Sequence, residues 1–243
     1  MIFFVPLWAH VPIREQPWAN YAIIFLTIAV SWWCVAWEQD ALTLAGFEED
    51  VASPWTPGGM EGLPRLRRIL PAPVSALTST LVHAGSLHLL GNMLFLWVFG
   101  NAVNSRLGHG KYVALYLVSG LMAGTLHAVM DASPVVGASG AINGVVAAFL
   151  VCFPRKNITM FVWVFGLIRP QVAPVPGIWI IPFWLIWDML MLLIGSGGVA
   201  HWAHVGGFVT GFLLAMLLLA AGWVRPRTGE QTLLQLVGLG RAR

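Results

Sequence analysis

What most restricts the fold of this chain is the length of its uncharged stretches. Trp18 to Trp37, Leu81 to Val103, Tyr112 to Met130, Pro134 to Phe153 and Val199 to Val224 carry no charged side chain, and Ile178 to Ile194 carries only Asp188. A bilayer core takes about 20 apolar residues per helix, within a usable range of roughly 17–25. Backbone polar groups find no water there, so each run is expected to be helical. Composition agrees: hydrophobic residues make up 58% of the chain and charged residues 9%, against roughly 25% charged in a soluble domain. Such a chain cannot cover itself with polar groups in water. The expected fold is all-α, a polytopic membrane protein with six transmembrane helices.

The net charge of +3 does not indicate nucleic acid, because the charges fall between the apolar runs and form no basic stripe. Six spans place both termini on one side. With the N-terminus inside, the inner segments hold Arg14, Arg106, Lys111, Arg155, Lys156, Arg169, Arg225, Arg227, Arg241 and Arg243, while the outer ones hold Arg65, Arg67 and Arg68 among Glu48, Glu49, Asp50 and Glu61. That is the positive-inside pattern. The expected division is a cytoplasmic segment at 1–17, the six-helix domain at 18–224 with a long first loop at about 38–80, and a basic cytoplasmic tail at 225–243. The tail's leucines suit an inner membrane surface. The segment Asn157 to Ile168 is too short to span and is expected at the interface. The opening residues have neither a basic start with a small-residue cleavage site nor an Arg-rich composition, so no targeting segment is expected. Cys34 and Cys152 sit in separate spans, and no disulfide between them is expected.

Polar side chains inside a membrane are costly, so those present carry information. In GASG, Ser139 stands between glycines at the start of the fourth run. One reading is a small-residue helix contact. The other is a nucleophile, with unpaired N–H groups of the helix start available to an oxyanion. In HWAHVGGFVTG, Gly207 and Gly211 allow close helix contact, and His204 lies one turn before them. A neutral imidazole there can serve as general base to a hydroxyl about 3 Å away, or bind a neighbouring helix. His201 reads as a support or an exposed residue. In HAGSLHLLGN, His88 and Asn92 share a helix face, and two donors on one face suit a developing oxyanion. A metal reading of His83 and His88 competes, but no Cys or carboxylate sits at ligand spacing and HExxH is absent. No metal or cofactor is expected. Asp188 has no charge partner visible in the sequence and reads as a weak structural polar residue. His127 reads as core packing, and Asn143 is ambiguous. Nucleophile, base and donors can lie at similar depth, but no acid is evident, which leaves a Ser–His dyad.

In this combination and order the chain resembles the rhomboid family of intramembrane serine proteases. The resemblance runs from about Ala76 to Gly211, on HAGSLHLLGNMLFLWVFGNAV, RLGHGKY, VGASGAINGV and AHVGGFVTG. It implies a rhomboid-type bundle with both termini cytoplasmic. It implies Ser139 as nucleophile, His204 as general base, and an oxyanion hole of His88, Asn92 and the Ser139 backbone N–H. His83 would stand behind these donors, with Gly137, Gly140, Gly207 and Gly211 in close packing. The implied activity is cleavage of transmembrane proteins, mainly single-pass, in contact with the lipid bilayer and with neither nucleic acid nor metal. The implied location is a bacterial inner membrane, with the site open to the outer face.

The chain also departs from the family pattern. Val74 and Ser75 stand where many members carry a Trp–Arg pair, Asn104 stands where an acid often precedes Arg106, and Asn143 replaces an aromatic that can stack on the base. The first two put loop anchoring in question, the third how His204 is held. The competing functions are a rhomboid-like pseudoprotease, which binds or escorts membrane proteins without cutting them, and a transporter. Ser139, His204, His88 and Asn92 together favour activity over the first, and the lack of internal repeats disfavours the second.

Overall fold

The computed structural model describes residues 2–36, 47–49, 66–68, 72–131, 133–164, 169–195, 199–227 and 229–239. In chain order its helices are α1 (Trp18–Ala36), α2 (Ala72–Thr78), α3 (Ser86–Leu107), α4 (His109–Met130), α5 (Ser139–Cys152), α6 (Gly177–Ile194), α7 (His201–Ala220) and α8 (Leu233–Leu236). The six major rods fall largely on the five uncharged runs and on the run that carries only Asp188. Helices α3, α4, α6 and α7 are long and apolar enough to cross a membrane, and α1 and α5 are shorter apolar helices. Large apolar side chains such as Phe25, Trp32, Trp179, Ile186, Leu193 and Leu217 point outward. Such a surface is stable against lipid and not against water. The protein is a helical, polytopic membrane protein. Most of the first loop lies outside the described residues, as do Arg241 and Arg243. Within that loop, strands β2 (Phe47–Glu49) and β3 (Leu66–Arg68) pair antiparallel.

Helix α5 is the axis of the bundle. Apart from Ser139 and Asn143 all its side chains are buried. It packs on α4 and α7 through missing side chains. A Cβ on Gly207 would fall on the Gly140 carbonyl, and one on Gly211 on the Gly144 carbonyl. One on Gly144 would meet Ser119 of α4. With no hydrophobic drive between helices in lipid, such close backbone approach supplies the packing energy. The helix has only 14 residues, about 21 Å at 1.5 Å per residue, which is less than a bilayer core of about 30 Å.

A sheet supplements the helices. Strands β1 (Ile2–Ala9), β4 (Asn157–Val164) and β5 (Gln171–Pro176) form an antiparallel sheet with β4 in the centre. The helical periodicities do not reveal it, because its strands are too short to span and β1 pairs with a strand far along the chain. β4, rich in β-branched and aromatic residues, takes part of the segment expected at the interface, and Ile158, Thr159 and Met160 are buried. The sheet covers the end of the bundle where α5 finishes and α6 begins.

The polar residues that depart from the family pattern have local partners. The Asn104 side chain accepts from the Asn20 backbone N–H at 3.1 Å. The Asn20 amide donates to Leu96 O at 2.9 Å and to Asn101 Oδ1 at 2.8 Å, and Tyr112 donates to Asn20 at 2.5 Å. This buried knot ties α1, α3 and α4 together. The carboxylate facing Arg106 comes from Glu230 in the tail. Arg106 also donates to Arg225 O at 3.0 Å and lies over the Phe153 ring. The tail thus folds against the ends of α3 and α5. Val74 and Ser75 fall within α2, where Ser75 is buried.

Candidate active site

Three helices supply the candidate side chains. Ser139 is the first residue of α5, so its N–H and those following it have no carbonyl within the helix to bind. His204 lies on the first turn of α7. The close α5–α7 contact brings His204 Nε2 to 2.9 Å from Ser139 Oγ. The Asn143 amide, one turn along α5, turns back and donates to Ser139 O at 3.0 Å.

On α3, His88 and Asn92 face the same space. Their position is set from behind by His83. Ser31 Oγ donates to Leu81 O at 3.0 Å and lies 3.1 Å from His83 Nδ1. With its hydrogen used on Leu81, Ser31 accepts from His83 Nδ1–H. His83 Nε2 is then an acceptor, taking the Asn92 amide N–H at 2.8 Å and the Ala138 backbone N–H at 3.4 Å. His83 thereby links α1, α3 and the segment leading into α5. Gly137 has φ 118°, and a Cβ there would sit 2.6 Å from the His88 ring. The turn before Ser139 needs glycine on both counts.

Ser139, His88, Asn92, His127 and His204 line one cavity of about 870 Å³ at the end of the bundle where α5 and α7 begin. His127 is buried, and its ring bonds to Ser133 O at 3.0 Å, so it forms wall rather than reactive surface. His201 is buried and not exposed.

Asp188 overturns its sequence reading as a weak polar residue without a partner. Its carboxylate lies against both histidines of α7, with Oδ1 2.7 Å from His201 Nδ1 and Oδ2 3.1 Å from His204 Nδ1. An acid therefore does stand beside the Ser139–His204 pair. The sequence signal was an intramembrane carboxylate followed by two histidines three apart, but the rotation of α6 against α7 was invisible. The three ligand atoms fall within 4.8 Å of one another, close enough to share a cation, although hydrogen bonding accounts for the arrangement.

Residues 72–221, which contain every one of these side chains except Ser31, match the Rhomboid domain. The chain belongs to the rhomboid family. It is 34% identical over 164 residues to RHOMBOID-like protein 4 of Arabidopsis thaliana, covering 63% of this chain and 36% of that protein. It is 31% identical over 150 residues to the mitochondrial Rhomboid protein 1 of Saccharomyces cerevisiae, covering 58% and 40%. To Rhomboid protease GluP of Bacillus subtilis it is 32% identical over 146 residues, covering 58% and 25%. The chain thus spans well under half the length of these curated relatives.

Proposed function

We propose that this protein is an intramembrane serine endopeptidase that cleaves transmembrane proteins, mainly single-pass ones, through an acyl-enzyme. The observation that carries the reading is the 2.9 Å approach of Ser139 Oγ to His204 Nε2 at the mouth of a cavity lined also by His88 and Asn92. Ser139 Oγ attacks the scissile carbonyl carbon as its proton passes to His204 Nε2. The Ser139 N–H, Asn92 and His88 stabilise the oxyanion, and His204 then protonates the leaving amine. Water enters through the same cavity to hydrolyse the ester. The family match and the likeness to a relative named a protease, GluP, support this reading.

The proposed setting is a bacterial inner membrane with both termini cytoplasmic and the cavity open to the outer face. The positive-inside bias supports it, since Arg106, Lys111, Arg155, Lys156, Arg169, Arg225 and Arg227 all fall in inner segments on this reading.

The test is labelling of the membrane-reconstituted protein with a fluorophosphonate probe, alongside cleavage of a single-pass substrate. Wild type should label and cleave, Ser139→Ala should do neither, and His204→Ala should label weakly. Cleavage that survives Ser139→Ala would exclude the serine mechanism. A folded wild type that neither labels nor cleaves would point to the binding or escort role of a pseudoprotease.

A further inference from the structure

We infer that Asp188 is a positioning residue for His204. Held in turn by His201, it fixes the imidazole in the tautomer whose Nε2 can accept the Ser139 proton. The inference rests on the peptidase reading of Ser139 and His204.

A carboxylate only accepts hydrogen bonds. Asp188 Oδ1 is 2.7 Å from His201 Nδ1, and its two oxygens are 3.2 and 3.1 Å from His204 Nδ1. Both Nδ1 atoms therefore carry hydrogens and donate to it. A neutral imidazole with its hydrogen on Nδ1 has its lone pair on Nε2, and Nε2 is the atom 2.9 Å from Ser139 Oγ. One carboxylate thus decides the direction of the Ser139–His204 hydrogen bond. When Oγ bonds to the carbonyl carbon, the proton it loses goes to Nε2. The imidazolium then bears both hydrogens, and its charge faces Asp188, which takes no proton itself.

The surroundings leave this task to Asp188. Asn143, where an aromatic could stack on the imidazole, is bonded back to Ser139 O. A cavity of about 210 Å³ remains between Asn143, Asp188, His204 and Phe208. The His201 ring meets His204 edge-on, with centroids 6.2 Å apart and planes at 83°, which leaves the imidazole's rotation to the Nδ1 bond. His201, with a side chain only 7% exposed, clamps the same carboxylate from the other side. Phe95, Ile142 and Trp184 line the cavity with apolar surface, which strengthens the attraction of the imidazolium to the carboxylate. Asp188 comes from α6, whereas Ser139 and His204 come from α5 and α7. The reactive tautomer therefore requires α6 to be seated.

The decisive variant is Asp188→Asn in the reconstituted chain. The amide keeps the size of the side chain but can donate to His204 Nδ1, which moves the imidazole hydrogen to Nε2 and blocks proton transfer from Ser139. The expected result is a kcat lower by about tenfold or more, toward the roughly 10⁴-fold loss of a soluble triad, with KM unchanged. The ¹⁵N spectrum of His204 should show hydrogen on Nδ1 in wild type and on Nε2 in the variant. Asp188→Glu, which keeps an acceptor, should recover part of the rate, and His201→Ala should lower kcat by a smaller factor. An unchanged kcat overturns the inference, and so does a loss of rate with the hydrogen still on Nδ1, which would make Asp188 a packing residue. Should wild type cleave nothing, the peptidase reading falls, and the nitrogen spectrum still decides whether Asp188 sets the tautomer.

Discussion

The Asn92 amide has two hydrogens and two directions to serve. One goes to His83 Nε2 at 2.8 Å, which leaves the other for the cavity where an oxyanion would form. Alanine at this position removes a donor from the cavity and strands His83 Nε2 at once. Loss of a single oxyanion donor can cost ~2.7–4 kcal/mol of transition-state stabilisation. Asn92→Ala is expected to lower kcat at least about tenfold with little change in KM, measured by steady-state cleavage in proteoliposomes. A rate equal to wild type would leave Asn92 a packing residue only. His88 works differently, as it is exposed to the cavity and held by its edge-to-face contact with His83.

At the scale of elements, the contact between α5 and α7 does two things with the same atoms. Gly207 and Gly211 of α7 press on the Gly140 and Gly144 backbone of α5 so closely that a Cβ on either would overlap it. That approach holds the bundle, and it also sets how far His204 stands from Ser139. In Gly207→Ala the new methyl would fall on the Gly140 carbonyl, and backbone cannot yield as a side chain does. A loss of about 3 kcal/mol, at the upper end of overpacking, is expected as a lower thermal midpoint in detergent. Activity should fall further than stability explains, because any separation of the helices lengthens the Ser139–His204 hydrogen bond. A variant with wild-type melting and wild-type cleavage would mean that the helices tolerate a wider spacing.

Across the whole molecule, the tail is part of the fold. Arg106, buried at the end of α3, meets Glu230, and Arg227 reaches back to Ser105 O at 3.2 Å. Burial by itself would raise the Glu230 carboxyl, but the Arg106 and Arg227 contacts more than offset it and hold it below its ordinary value of 4.5. A carboxylate depressed in the folded state adds stability that is complete above its unfolded value and is lost as pH falls through the folded one. Wild type should therefore melt above Glu230→Gln at neutral pH. The gap should hold down to about the ordinary 4.5 and close as the pH falls below it. A gap independent of pH would show that Glu230 acts through shape and not through charge.

The uncharged runs by themselves determined the membrane class, the place of each major helix, and the small residues that let α5 and α7 meet. They could do so because lipid forces every buried backbone group into helical bonds, and length and hydropathy are local properties. Ser139, His204, His88 and Asn92 were legible as a set because polar groups are rare within such runs. Tertiary structure alone decided the rest. The β1–β4–β5 sheet joins segments from far apart in the chain, the Arg106–Glu230 pair spans about half its length, and Asp188 meets His204 only through the rotation of α6 about its axis. Rotation and long-range pairing are set by packing against neighbours, which no single run of sequence contains.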